Sequence, residues 1–330
     1  MSESHTNSPP KSTAAKTAGI IALAVATLAV AAVAFKRAWD NAGPATAAAT
    51  TSAPSAPRTP TAEARTAILE SAQTYIRRNE PGNAEAVLAQ AAREYSEDQE
   101  IRIAYADVLL TQRKLTQASE QYEKALAIGP RPATLEFTAG TAANMAGNPQ
   151  LALEHYLAAQ AADKTNAQYP LFAAQVQIKL NQSDAAKASL IRSTMLDSQQ
   201  PAAWGTLAEL ALRDNNANVA LQHIEKARKL DSGALAWRLI EARALKRVGK
   251  PREAVDLLVT LDDAQRLQPA VLQQIAECYG MLKQPADAAA IYARASDAQR
   301  DNPDLAKAAA DWFNRAGNAA KAAEYSSRAR

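Results

Sequence analysis

The chain has 330 residues, with 37 Lys and Arg against 34 Asp and Glu, a net charge of +3 and three histidines. Charge this evenly balanced excludes a surface built as a whole to bind nucleic acid, which needs an excess of cations facing phosphate. The single cysteine, Cys278, excludes an internal disulfide and a thiolate metal cage, and its place within a predicted helix suits a small half-buried side chain.

From the N-terminus, residues 1–16 form a short polar tail. Residues 17–35 are an uncharged, Ala-rich run with Ile20, Ile21, Leu23, Val25, Leu28, Val30, Val33 and Phe35. At about 1.5 Å per residue a helix of that length just crosses a hydrocarbon core of about 30 Å, so the run is predicted to be a single transmembrane helix, with Trp39 as an interfacial anchor. Lys11 and Lys16 before it and Lys36 and Arg37 after it nearly balance, so charge bias leaves the orientation open. The short tail suits the cytoplasmic side of a bacterial inner membrane and places the rest of the chain in the periplasm. The alternatives are a cytoplasmic array, or a signal cleaved near Ala32-Val33-Ala34 that leaves a soluble periplasmic protein. Residues 36–61 read as an extended linker rich in Ala, Thr, Ser and Pro, with Pro44, Pro54, Pro57 and Pro60.

Residues 62–330 carry a repeat. Ala84, Ala118, Ala152, Ala186, Ala220, Ala254, Ala288 and Ala322 stand 34 residues apart, and 12 residues upstream runs a second column: Ala72, Ala106, Gly140, Ala174, Ala208, Ala242, Ala276 and Ala310. A fixed period of this size marks stacked units, each too small to bury its apolar face alone. Trp204, Leu207, Ala208 and Ala211 show the spacing of a buried helical stripe, and Ala220, Ile224 and Ala227 repeat it in a second helix. Breakers recur between the paired helices at Gly147-Asn148-Pro149, Asn215-Asn216, Gly249-Lys250-Pro251 and Gly317-Asn318. The predicted fold is therefore all-α, eight helix pairs with units starting near 65, 99, 133, 167, 201, 235, 269 and 303. Pro81-Gly82-Asn83, close before Ala84, predicts a shift of register in the first unit. Ser326 takes the column otherwise filled by Leu88, Tyr122, Tyr156, Leu190, Ile224, Leu258 and Tyr292, which predicts a polar terminal cap.

In these residues the chain resembles the tetratricopeptide repeat family, whose pattern is W-x2-L-G-x2-Y, then A-x3-F, then Pro. Trp204, Leu207 and Ala208 follow it, as do Gly140 with Ala152 and Tyr156, and Ala118 with Tyr122 and Pro130; Arg102, Glu136, Pro170 and Arg238 stand instead at the Trp place. The resemblance implies a right-handed α-solenoid whose concave groove is lined mainly by first helices, and binding of a protein or peptide there. Projected in phase, the groove-lining candidates are Phe137, Thr141, Asn144 and Met145, then Leu171, Gln175, Ile178 and Lys179, then Glu209 and Arg213, then Arg243, Lys246 and Arg247, and last Glu277, Met281, Asp311 and Arg315. Arg243, Lys246, Arg247, Lys250 and Arg252 form a basic run that could receive an acidic segment. The Lys and Asn of the family's carboxylate clamp have no counterpart, since the corresponding places hold Leu69 with Gln73, Ile103 with Asp107 and Phe137 with Thr141.

Little in the chain points to catalysis. His155 and His223 fall in one column two units apart, too far to share a metal, and are expected to be solvated or partly packed. No phosphate-cradling glycine loop, zinc-protease motif or nucleophile elbow occurs. The expectation is a membrane-tethered scaffold for a protein or peptide partner, without cofactor, metal or nucleic acid, in envelope, secretion, pilus or polysaccharide assembly. Self-association into a homo-oligomer and binding to cell-wall polysaccharide are the alternatives.

Overall fold

A computed structural model describes residues 58–329. The tail, the predicted span at 17–35 and the linker up to residue 57 lie outside the described residues. Among the described residues no helix is long and apolar enough to cross a membrane, and there is no strand.

Seventeen helices follow one another among the described residues. They pair as α1 (Ala62–Arg77) with α2 (Pro81–Glu94), α3 (Gln99–Thr111) with α4 (Leu115–Ile128), α5 (Ala133–Met145) with α6 (Pro149–Ala162), and α7 (Gln168–Lys179) with α8 (Ser183–Leu196). The second half pairs α9 (Pro201–Arg213) with α10 (Ala217–Leu230), α11 (Leu235–Arg247) with α12 (Pro251–Val259), α14 (Pro269–Met281) with α15 (Pro285–Ala298), and α16 (Pro303–Arg315) with α17 (Ala319–Arg328). The one-turn α13 (Asp263–Arg266) is an extra element between the sixth and seventh pairs.

The two small-residue columns are the contact between paired helices. Their alanines are at most 3% exposed, and Gly140 is buried with them. A Cβ on Gly140 would lie 2.9 Å from the Tyr156 ring and 3.1 Å from the Ala152 carbonyl oxygen, so small side chains are what let the two backbones approach. The large residues beside the columns fill the seams between units. Tyr122 and Leu126 of the second pair share one apolar cluster with Leu135 and Ala139 of the third, and Leu171 and Leu190 of the fourth share another with Ala203 and Leu207 of the fifth. Core is thus shared between neighbours and belongs to no single unit.

The paired helices are joined by one turn used eight times. Asn79, Arg113, Gly147, Asn181, Asn215, Gly249, Lys283 and Gly317, again 34 residues apart, all have φ between 57° and 84°. The next amide donates to the carbonyl five residues earlier, as in Asn148 N to the Ala143 carbonyl at 2.9 Å and Lys114 N to the Leu109 carbonyl at 2.9 Å. This left-handed closure satisfies the last carbonyls of the first helix and starts the second almost at once. Pro81 stands at the first helical position of α2, where a missing amide hydrogen costs nothing. The first unit therefore keeps the common phase, and the register shift expected at Pro81-Gly82-Asn83 does not occur.

The sixth unit departs from the pattern. Ala91, Ala125, Ala159, Ser193, Ala227 and Ala295 share a column in which the sixth unit has Leu261. That side chain cannot enter a contact shaped for a methyl group, so α12 stops at Val259 and Leu261, 4% exposed, turns into the core beside Val271 and Ile275. Asp262 caps α13, and Arg266 Nη1 returns a hydrogen bond of 3.1 Å to the Val259 carbonyl. At the far end Ser326 is exposed, while Tyr325 is buried and stacks on Phe313 with centroids 5.5 Å apart.

First helices of successive pairs touch directly, α1 with α3, α9 with α11 and α11 with α14, whereas second helices of successive pairs make no comparable contact. The stack therefore bends with its first helices on the inside, and their outward rows face a common groove.

Candidate partner-binding groove

The groove changes character along its length. Between α1 and α3 lies a cavity of about 390 Å³ with walls of Leu69, Ile76, Ile103 and Val108 and a rim of Gln73, Glu100, Asp107 and Thr111. Ile76 is 50% exposed in it. Asp107 is open to solvent on one side and ringed by apolar groups on the other. That surrounding pushes its carboxyl above the usual carboxylate range, although the Tyr122 hydroxyl donates to it. Burial and the same carboxylate push the Tyr122 phenol upward in turn. Leu69, Gln73, Ile103 and Asp107 are the places whose side chains exclude a carboxylate clamp. Their apolar pairing, Leu69 and Ile76 against Ile103, was the signal for a cavity.

In the third and fourth units the candidates divide. Phe137 is half-buried in an aromatic seam, edge-on to Phe172 at 4.9 Å and 5.4 Å from Tyr169. Thr141 accepts from the Tyr156 hydroxyl at 3.3 Å, and Asn144 Oδ1 accepts from Lys179 Nζ at 2.9 Å. Met145 and Gln175 are exposed and Ile178 is half-buried. Leu171, expected at the groove surface, turns into the core instead: α9 closes over it with Ala203 and Leu207, leaving it 8% exposed.

From the fifth unit onward the groove is tied to itself. Arg243 bridges to Glu209 with both terminal nitrogens, Arg213 lies 4.0 Å from the same carboxylate, and Arg247 donates to the Leu212 carbonyl. Lys246 pairs with Glu277, whose other oxygen accepts from Gln273 at 2.9 Å. Burial works to raise the Glu277 carboxyl, but Lys246 and Gln273 outweigh it and hold the group below the usual range. Lys250 pairs with Glu253 at 2.9 Å and Arg252 reaches Gln284 at 3.3 Å. The basic run is therefore no open cationic patch: Arg243, Lys246 and Arg247 meet acceptors one repeat away in the same groove, and Lys250 meets Glu253 beside it. Met281 is 51% exposed, Asp311 is exposed, and the Arg315 guanidinium lies 4.5 Å over Trp312.

His155 departs most from expectation. It is 4% exposed, with Nδ1 2.8 Å from Glu136 and Nε2 2.6 Å from Glu123, and Glu136, itself 2% exposed, accepts from Arg131 at 2.5 Å. Burial tends to raise the Glu136 carboxyl, but the hydrogen bonds of Arg131 and His155 prevail and lower it. Glu136 stands at the family's Trp place. The same two columns, 19 residues apart, meet in other units as Arg102 with Gln121 at 3.1 Å and Trp204 stacked on His223 at 5.7 Å. That offset was the signal that position 155 faces 136. His223 is partly packed, as expected, and burial together with Lys226 holds it below the ordinary imidazole range. Cys278 is 1% exposed rather than half-buried, and burial raises its thiol.

Comparison with known proteins supports the same architecture. A family described as Psidin, N-terminal TPR repeats region, matches residues 210–325. The sequence finds no match among curated proteins. Among solved structures, a tetratricopeptide repeat protein from Parabacteroides merdae superposes with a TM-score of 0.55 at 18% identity, over 70% of this chain and 91% of that one. PilF of Pseudomonas aeruginosa gives 0.52 at 21% identity, over 65% and 98%. PilW, a widely conserved type IV pilus biogenesis factor, gives 0.50 at 19% identity, over 63% and 96%. Likeness at this level of identity speaks to fold alone, and what it establishes is that the described helices form a tetratricopeptide-type α-solenoid.

Proposed function

We propose that this protein is a membrane-tethered interaction scaffold that holds a segment of a partner protein in the concave groove of its array. One observation carries the reading: the groove opens, between α1 and α3, into an apolar cavity of about 390 Å³ rimmed by polar groups, the form of a site for side chains of an extended segment. The tether rests on the uncharged run at 17–35, with the array on the periplasmic side. The setting is assembly of an envelope structure, whether pilus, secretion apparatus or polysaccharide. The role is one of binding and not of turnover: both ring nitrogens of His155 are engaged by carboxylates, and His223 is stacked against an indole. A photoreactive residue at Ile76 or Met145, activated in intact membranes and followed by mass spectrometry, tests it. The same partner should be captured from both positions and not from Met195 on the outer face. Capture from Met195 alone, or from no groove position, would sink the proposal.

A second reading, self-association, draws on that outer face. Ile191 and Met195, 50% and 80% exposed, border a depression of about 580 Å³ with Gln160 and Arg192, at columns where other units have Glu123, Glu225 and Lys229. An exposed apolar patch of this kind suits a second copy. Sedimentation of the full chain in detergent across a range of concentrations separates the readings, because a constant monomer speaks against self-association.

A further inference from the structure

The α1/α3 cavity has a chemistry that narrows what can occupy it. Its walls are aliphatic, its rim has two carboxylates, Glu100 and Asp107, and no cation stands among its lining residues. Glu100 has a distant partner in Arg65 at 3.9 Å, whereas no Lys, Arg or His among the described residues lies within ion-pair distance of Asp107. The hydroxyl of Tyr122 is the one side-chain donor that Asp107 has there. The same column one half-array later shows the contrast, because Glu209 and Glu277 each have a cation from a neighbouring unit. A carboxylate left beside apolar walls is stabilised by a cation brought by the ligand, and a Lys or Arg can lay its methylene stem on Leu69, Ile76 and Ile103 while its head reaches Asp107.

We propose that this cavity is a receptor for a Lys or Arg side chain of the partner segment, paired with Asp107 and seated on Leu69, Ile76 and Ile103. The inference rests on the groove being the partner site and adds the charge of the residue it takes there. It also sets the orientation of selectivity along the array: cation recognised at the N-terminal end, where an unpartnered anion borders apolar walls, and none required in the fifth to seventh units, whose carboxylates are paired.

The test is a selection of random dodecamer peptides displayed on phage against the full chain in detergent, followed by anisotropy titration of an enriched peptide made with a fluorescent label. Enriched sequences should have Lys or Arg beside an aliphatic residue. Replacing that Lys or Arg by norleucine should weaken binding at least about tenfold, and Asp107→Asn should weaken the cationic peptide by a like factor while leaving the norleucine peptide unchanged. Affinity for the cationic peptide should fall as salt rises. Asn keeps the acceptor for Tyr122, and a circular dichroism melt checks that the variant folds. Peptides that are lost in Ile76→Ser, yet are uncharged or indifferent to Asp107→Asn, would overturn the cation site and leave the groove reading standing. If nothing is enriched, or enriched peptides ignore both substitutions, the groove reading falls and this inference with it.

Discussion

The first two units and the fifth to seventh present the same helical rows to the same groove and use them in opposite ways. At the N-terminal end Gln73 and Asp107 rim an open apolar cavity. Further on, Glu209, Arg243 and Glu277, the same column, are spent on one another or on Lys246, so the groove wall is a ladder of ion pairs between consecutive repeats. A repeat dictates where a side chain stands and leaves open whom it meets. The second unit thus leaves its groove carboxylate without a cation, and the fifth to seventh use theirs to tie consecutive repeats together.

The largest expected effect lies between those two regions. Glu136→Ala would leave buried His155 without one carboxylate and Arg131 without its partner, and should cost about 3–5 kcal/mol in a denaturant titration, as for other broken buried pairs. Because units in a solenoid contact only their neighbours, that loss should split one unfolding transition into two, with the N-terminal units melting first. The pH dependence has a definite sign. The folded Glu136 carboxyl lies below its unfolded value, so its contribution is present above about pH 4.5 and is lost as pH falls through the folded value. An acid titration of stability should be shallower in the Glu136→Gln variant than in the parent.

Next in size is Gly205→Ala. A Cβ there would sit 2.1 Å from the Trp237 ring, which is wedged between the fifth and sixth units, so overpacking should cost about 1–3 kcal/mol and lower the thermal midpoint. Lys283→Gly works the other way. Lys283 has φ of 57° in a turn where three other units have Gly, and relief of that strain should raise stability by about 0.5–1 kcal/mol in the same assay. Arg243→Ala should be smallest, below about 1 kcal/mol, because its pair with Glu209 is partly exposed. It should leave peptide affinity at the α1/α3 cavity unchanged. A large loss of that affinity would erase the distinction between the two ends of the groove.

Period and small-residue columns made the helix pairs legible, because close approach of two helices tolerates little beyond Ala or Gly and such a demand shows at every repeat. The shortened α12 was legible by the same logic, in Leu261 where other units have Ala or Ser. The left-handed turns were half visible. Gly147, Gly249 and Gly317 announce themselves, while Arg113 and Lys283 adopt the same angle only because the helices on either side demand it. Groove contents were the least legible. Charge pairing across a 34-residue step depends on which rotamers meet across two helices, so Arg243 and Lys246 read as an open basic run until Glu209 and Glu277 are seen beside them. Leu171 was lost to the core for a related reason: a helical wheel knows its own helix and not the one that covers it.

Trp237 has a consequence of another kind. Its indole rests on the bare backbone of Gly205, in the seam between consecutive pairs, as that of Trp312 rests more loosely on Gly280 two units on. An aromatic ring lodged there responds to any change in the gap between the pairs. With Trp39, Trp204 and Trp312 replaced by Phe, the emission of Trp237 alone would follow the spacing of these two pairs as the array is stretched or compressed.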